Sequence, residues 1–70
     1  MEAHMRLRAW RISKGWTQEE AAKHLGVRQS LWSSWEVGRT KPGLSYAMAL
    51  AQLSAKDGEP SLPLKMWVHR

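Results

Sequence analysis

The stretch from residue 17 to residue 27, Thr-Gln-Glu-Glu-Ala-Ala-Lys-His-Leu-Gly-Val, contains both ends of a short helix. Thr17 and Glu20 have the spacing of a capping box. In that motif the Thr17 hydroxyl accepts from the Glu20 amide, and the Glu20 side chain reaches back to the start of the helix. Gly26 ends the helix, because glycine tolerates the positive φ of a helix C-terminus. We therefore predict a helix of about seven residues followed by a tight turn.

Three further helices are predicted around this one, over about residues 5–14, 28–37 and 44–53, with turns at 15, 26 and 38–43. Leu7 and Trp10 lie three residues apart, as do Trp32 and Trp35, so each pair is expected to face a common core. The β-branched residues are few and never cluster, so no strand is predicted before the tail. The predicted fold class is all-α: a compact bundle of four to five short helices.

Composition narrows the classes of function. The 70 residues carry a formal net charge of +5, which favours a polyanionic partner such as nucleic acid. Cysteine is absent, so disulfides and cysteine-based zinc sites are excluded. No apolar run is long enough for a membrane span, and no membrane partner is expected. The first residues lack the apolar core of a signal peptide, and we expect a cytoplasmic protein.

The third predicted helix has an unusual outer face, which is polar and carries a single charge. Its members are Arg28, Gln29, Ser30, Ser33 and Ser34. Guanidinium, amide and hydroxyl groups are those that read base edges in the major groove of DNA. Two short helices joined at Gly26, the second with such a face, indicate a helix-turn-helix. The alternative is an ordinary solvated helix face.

The C-terminal part of the chain predicts self-association. The fourth helix is apolar nearly all round, so a second copy of the chain is expected to cover part of it. We divide the chain into a helix-turn-helix DNA-binding domain at residues 1–58 and a tail at 59–70, a candidate dimerisation element. Alternating apolar residues in the tail favour an extended arm, whereas Ser61 as a cap favours a short helix. Trp67 is a candidate dimer contact.

Several segments together resemble the Cro and phage-repressor (XRE) family of helix-turn-helix proteins. They are Gly15-Trp16-Thr17-Gln18-Glu19-Glu20-Ala21-Ala22, Leu25-Gly26-Val27, and Trp35-Glu36-Val37-Gly38-Arg39 followed by Lys41-Pro42. The resemblance covers about residues 6–54. It implies a bundle of four or five helices and sequence-specific repression of transcription. Trp10, Trp16 and Trp32 depart from the family, which usually has leucine or isoleucine there.

The resemblance also implies roles for individual side chains. Gln29 is the strongest candidate base reader, since its amide matches N6 and N7 of adenine. Leu31, if it points outward, offers an apolar contact to a thymine methyl. The implied base contacts are Arg28, Gln29, Ser30, Leu31, Ser33 and Ser34. The implied phosphate contacts are Gln18, Arg39, Thr40 and Lys41. Gln18 is also implied to brace the third helix. Arg11 and Glu36 take the positions of a structural ion pair.

The prediction is thus a transcriptional regulator that binds double-stranded DNA, a repressor acting as a homodimer on a palindromic operator. An autoregulatory protein of phage or mobile-element type is expected. Two alternatives stay open: an antitoxin-type module that also binds DNA and holds a protein partner through its tail, and an RNA or single-strand binder using exposed tryptophans. No enzyme activity, catalytic residue, cofactor or metal is expected. His24 lies one turn after Glu20, and a surface pair is favoured there over a metal site.

Overall fold

Four α-helices and a later turn of 3-10 helix succeed one another in the part of the chain that the structure describes. The computed structural model describes residues 2–56, 58 and 61–67. The helices are α1 (Ala3–Ser13), α2 (Gln18–Leu25), α3 (Gln29–Glu36) and α4 (Leu44–Ala55), followed by the 3-10 turn Leu64–Trp67. No strand occurs in the described residues, so the all-α prediction is confirmed. None of the described helices is long and apolar enough to cross a membrane.

Both predicted ends of α2 are confirmed. Thr17 Oγ1 accepts from the Glu20 amide at 3.1 Å, and the Thr17 amide donates to Glu20 Oε1 at 2.8 Å. Gly26 follows with φ 78°, in the left-handed region. A Cβ on Gly26 would meet nothing within 4 Å, so backbone conformation rather than space favours glycine there. The Val27 amide then bonds to the Ala22 carbonyl at 3.0 Å, which closes the turn toward α3.

One apolar core joins all four helices and the tail. Leu7, Trp10, Trp32 and Trp35 are each at most 1% exposed, which confirms the inward faces predicted for α1 and α3. The remaining buried apolar residues are Ala21, Ala22, Ala47, Leu50, Leu62 and Trp67. The buried residues of α2 are both alanines, and their small side chains leave room in the same core for the large indole rings.

Helix α4 ends at Ala55, whereas the sequence predicted an end at about residue 53. The cause lies in the tail. Ser54 is 1% exposed, and its Oγ accepts from the Leu62 amide at 2.9 Å while donating to the Ala51 carbonyl at 3.3 Å. A buried hydroxyl with both partners stabilises two more helical residues than the sequence pattern indicates.

The tail packs against its own chain. Leu62 is fully buried, Trp67 is 6% exposed, and Arg6 Nη2 donates to the Ser61 carbonyl at 3.0 Å. The prediction of Trp67 as a dimer contact is therefore wrong, because its ring belongs to the core of the monomer. Residues 64–67 form a helical turn, which agrees with the helical alternative. The predicted boundary between residues 58 and 59 is flanked by residues 57, 59 and 60, which lie outside the described residues, as do 68–70.

Candidate nucleic-acid interface

Helix α3 has two different faces. On the inner face, Trp32 and Trp35 are buried with their rings 5.7 Å apart. The helix has 8 residues and so a length of about 12 Å. An α-helix with its side chains is about 10–12 Å in diameter, which fits the roughly 12 Å width of the DNA major groove. The two buried indoles anchor α3 on the core, so the opposite face of the helix is held in a fixed position at the surface.

The outer face begins with three exposed residues, Arg28, Gln29 and Ser30. Arg28 is the N-cap of α3, but its side chain makes no capping hydrogen bond. Ser33 and Ser34, one turn further on, are half-buried. The predicted row of polar side chains is therefore present, and it is most accessible at the N-terminal end of the helix. We call this set the polar row: Arg28, Gln29, Ser30, Ser33 and Ser34.

Leu31 differs from this row. It is half-buried and packs against the core. Its methyl groups therefore contribute to anchoring α3, and only the exposed part of the side chain remains for an apolar contact. The thymine contact predicted for Leu31 required an outward-pointing side chain, and Leu31 points outward only in part.

The basic loop after α3 is fastened to the last turn of that helix. The backbone amides of Arg39 and Thr40 both donate to the Ser34 carbonyl, at 3.0 and 3.4 Å. The side chains of Arg39, Thr40 and Lys41 are exposed. Lys41 Nζ lies 3.4 Å from the Trp67 carbonyl oxygen, near the outer limit of a hydrogen bond. The loop therefore keeps a fixed position relative to the polar row.

Glu36 joins three helices at the back of α3. Its carboxylate accepts from Arg11 Nε at 2.6 Å and Arg11 Nη2 at 3.1 Å, so the predicted Arg11–Glu36 pair is present as a bidentate pair. Trp32 Nε1 donates to it at 2.5 Å and Gln18 Nε2 at 3.0 Å. The Glu36 side chain is 2% exposed and that of Arg11 is 12% exposed. This network sets the position of α3 against α1 and α2.

The same network controls the protonation of Glu36. Burial by itself would raise the pKa of this carboxyl group. Hydrogen bonds from Arg11, Trp32 and Gln18, together with the positive charge of Arg11, outweigh burial and hold the pKa below its ordinary value of 4.5. The carboxylate is thus the favoured form in the folded protein.

Stability is consequently expected to fall in acid. A carboxyl group whose pKa is lowered by folding stabilises the folded state above its unfolded pKa of 4.5, and that contribution disappears as the pH falls through the folded pKa. Urea unfolding of the native chain and of Glu36→Gln, measured between neutral and acid pH, tests this. The difference in unfolding free energy should be constant above pH 4.5 and shrink below it; a difference unchanged in acid would contradict the assignment.

The sequence missed two of the donors to Glu36. Trp32 and Glu36 are four residues apart on α3, so helical spacing was an available signal for that bond. No local signal places Gln18 beside Glu36, because the two residues lie on different helices. Gln18 Nε2 carries two hydrogens, and one of them is used here. The other remains for the phosphate contact that the sequence predicted.

The expected surface pair of His24 with Glu20 takes a different form. His24 Nδ1 lies 3.0 Å from the Glu20 backbone oxygen, and the Glu20 carboxylate accepts from Thr17 instead. The imidazole stacks on Trp16 with ring centroids 3.9 Å apart. Within the described residues, no three His, Cys, Asp or Glu side chains gather as a metal site would require.

Helices α2 and α3, the Gly26 turn between them and the polar row on α3 define a helix-turn-helix unit, the class of fold that DNA-binding regulators use. Residues 5–60 match the family model described as a helix-turn-helix domain, and the chain belongs to that family. The match is consistent with the resemblance to the Cro and phage-repressor family. No curated protein and no solved structure matches the chain.

Proposed function

We propose that this protein is a sequence-specific regulator of transcription that binds double-stranded DNA with α3 in the major groove, and that it is not an enzyme. The observation that carries the proposal is the contrast between the two faces of α3. One face is anchored by buried tryptophans, and the other exposes Arg28, Gln29 and Ser30. The site of action is the cytoplasm, in keeping with the absence of cysteine.

In this proposal the side chains divide into base and phosphate contacts. Gln29 reads an adenine through a bidentate amide contact, and Arg28 reaches a guanine or a phosphate at the same end of α3. Ser30, Ser33 and Ser34 make shorter contacts. Residues 39–41 and Gln18 hold the DNA backbone. The hydrogen bonds from the amides of Arg39 and Thr40 to the Ser34 carbonyl fix the position of the loop relative to the base contacts on α3.

Dimerisation is part of the proposal. Leu44 and Met48 lie one turn apart on α4 and are 69% and 46% exposed. Exposed large apolar side chains on a small domain support a protein contact there. A two-fold dimer would place two α3 helices about 34 Å apart and select a palindromic operator. Repression and an autoregulatory role of phage or mobile-element type are the activities that the family resemblance implies.

The tryptophans argue against the single-strand alternative. Stacking on unpaired bases requires exposed aromatic faces. Trp10, Trp32, Trp35 and Trp67 are at most 6% exposed, and Trp16 is half-buried and already stacked on His24. A duplex, read by polar side chains, fits this surface better. An antitoxin role would show itself by a stoichiometric protein partner that copurifies with the chain.

The decisive experiment is selection of bound duplexes from a random pool at moderate salt. We expect an enriched sequence with two-fold symmetry and half-sites one helical turn apart, about 34 Å. Enrichment of a single, asymmetric half-site would contradict the dimer and leave the DNA-binding role intact. Recovery of random sequences, or stronger retention of single-stranded RNA than of duplex, would overturn the regulator.

A further inference from the structure

A cleft opens where the start of α1, the loop after α3 and the terminal 3-10 turn meet. Its volume is about 220 Å³, and its lining residues include Trp35 and Trp67. Drug-sized ligands occupy cavities of roughly 300–1,000 Å³, so this space suits a smaller molecule. Two tryptophans among the lining residues of so small a cleft favour a ligand with a flat apolar body.

The charged side chains of the lining favour an anion. Arg39 and Lys41 line the cleft, and Glu2 is the acidic residue among the lining. Two permanent cations against one carboxylate leave an excess of positive charge. The planar guanidinium of arginine also matches the geometry of a carboxylate, with two parallel N–H donors.

Trp67 supplies an independent observation. Its side chain is nearly buried, at 6% exposure, and its indole Nε1–H has no hydrogen-bond acceptor within the part of the chain that the structure describes. Buried indole N–H groups usually find a partner, because an unsatisfied buried donor is unfavourable. Trp32, a buried tryptophan of α3, donates its indole N–H to Glu36 in this way. The unpaired donor of Trp67 thus belongs to a residue that lines a cationic cleft.

We propose that this cleft binds a small aromatic carboxylate. The ring of the ligand packs against Trp35 and Trp67. Its carboxylate accepts from Trp67 Nε1 and pairs with Arg39 and Lys41. This site is separate from the polar row of α3, although it shares the basic loop with it.

Sodium benzoate is the probe, and the indole N–H resonances of the ¹⁵N-labelled protein without DNA are the readout. The Trp67 resonance is identified by its absence in Trp67→Phe. We expect benzoate to shift that resonance saturably, with a Kd on the order of 1 mM, and neutral benzamide to bind at least about tenfold more weakly. Shifts confined to other tryptophans, or equal shifts with benzamide, would overturn the proposal.

Two matched variants locate the site. Ala3 lines the cleft near the start of α1, so Ala3→Leu should fill it and abolish the benzoate shift. Ala9 lies on the same helix and outside the cleft lining, so Ala9→Leu should leave the Kd unchanged. Neither residue is assigned a DNA contact. Retention of the full benzoate shift by Ala3→Leu would contradict this location.

A coupling to DNA follows, and only this step rests on the proposed function. If Arg39 and Lys41 serve both ligands, benzoate should weaken operator binding, and DNA should weaken benzoate binding by the same factor. The resonance shift without DNA tests the cleft, and operator affinity without benzoate tests the regulator. Failure of either measurement is therefore recognised separately. Additive, uncoupled binding would show that the loop does not serve both sites.

Discussion

Replacing Glu36 by alanine is expected to lower the free energy of unfolding by about 3–5 kcal/mol. The substitution leaves the buried charge of Arg11 without its partner and removes the acceptor used by Trp32 and Gln18. A single core of this size supplies only about 3–5 kcal/mol in total. Circular dichroism during urea or thermal unfolding should therefore show a chain that is largely unfolded at room temperature.

Glu19→Ala is the matched control. Glu19 is exposed in the first turn of α2, where loss of a helix-dipole interaction costs at most about 1 kcal/mol. Arg11→Met adds a second test, because the effects of Arg11→Met and Glu36→Ala should be far from additive within one buried network. Equal stability of the Glu36 and Glu19 variants, or strict additivity with Arg11→Met, would refute the role of Glu36 as the joint between helices.

Replacing Gln29 by alanine is expected to cost about 1–3 kcal/mol of operator affinity and to relax preference at one or two base pairs. The physical reason is the loss of both amide contacts to a single base. Gln29 is exposed, and no described contact ties its side chain to the core, so the fold should be unaffected. Selection from a random duplex pool, repeated with the variant, measures the change in preference directly.

Lys41→Ala is the matched comparison for Gln29→Ala. A lysine that contacts phosphate contributes equally to every sequence, so its loss should weaken all duplexes alike and reduce the salt dependence of binding by about one unit. A Gln29 variant that kept the native site preference would remove Gln29 from the base contacts. A Lys41 variant with an altered base preference would show that the loop reads sequence.

The sequence alone determined the local framework of the protein. Thr17 and Glu20 specify the start of α2, and Gly26 its end, because capping and positive φ depend on residues only a few positions apart. The spacing of Trp32 and Trp35 likewise predicted the buried face of α3, since helical periodicity fixes which residues share a side. The same periodicity predicted that the polar row lies on the opposite, exposed face of α3.

Tertiary structure decided which distant residues meet. Gln18 joins Glu36 on another helix, Leu62 pairs with Ser54 and prolongs α4, and Trp67 enters the core instead of a dimer contact. Each outcome depends on the placement of whole helices around one another, which is selected by the packing of the complete core. The spacing of residues along the chain does not predict such contacts. The cleft beside Trp67 likewise depends on tertiary structure, because its lining includes residues of α1, α3, the loop after α3 and the 3-10 turn.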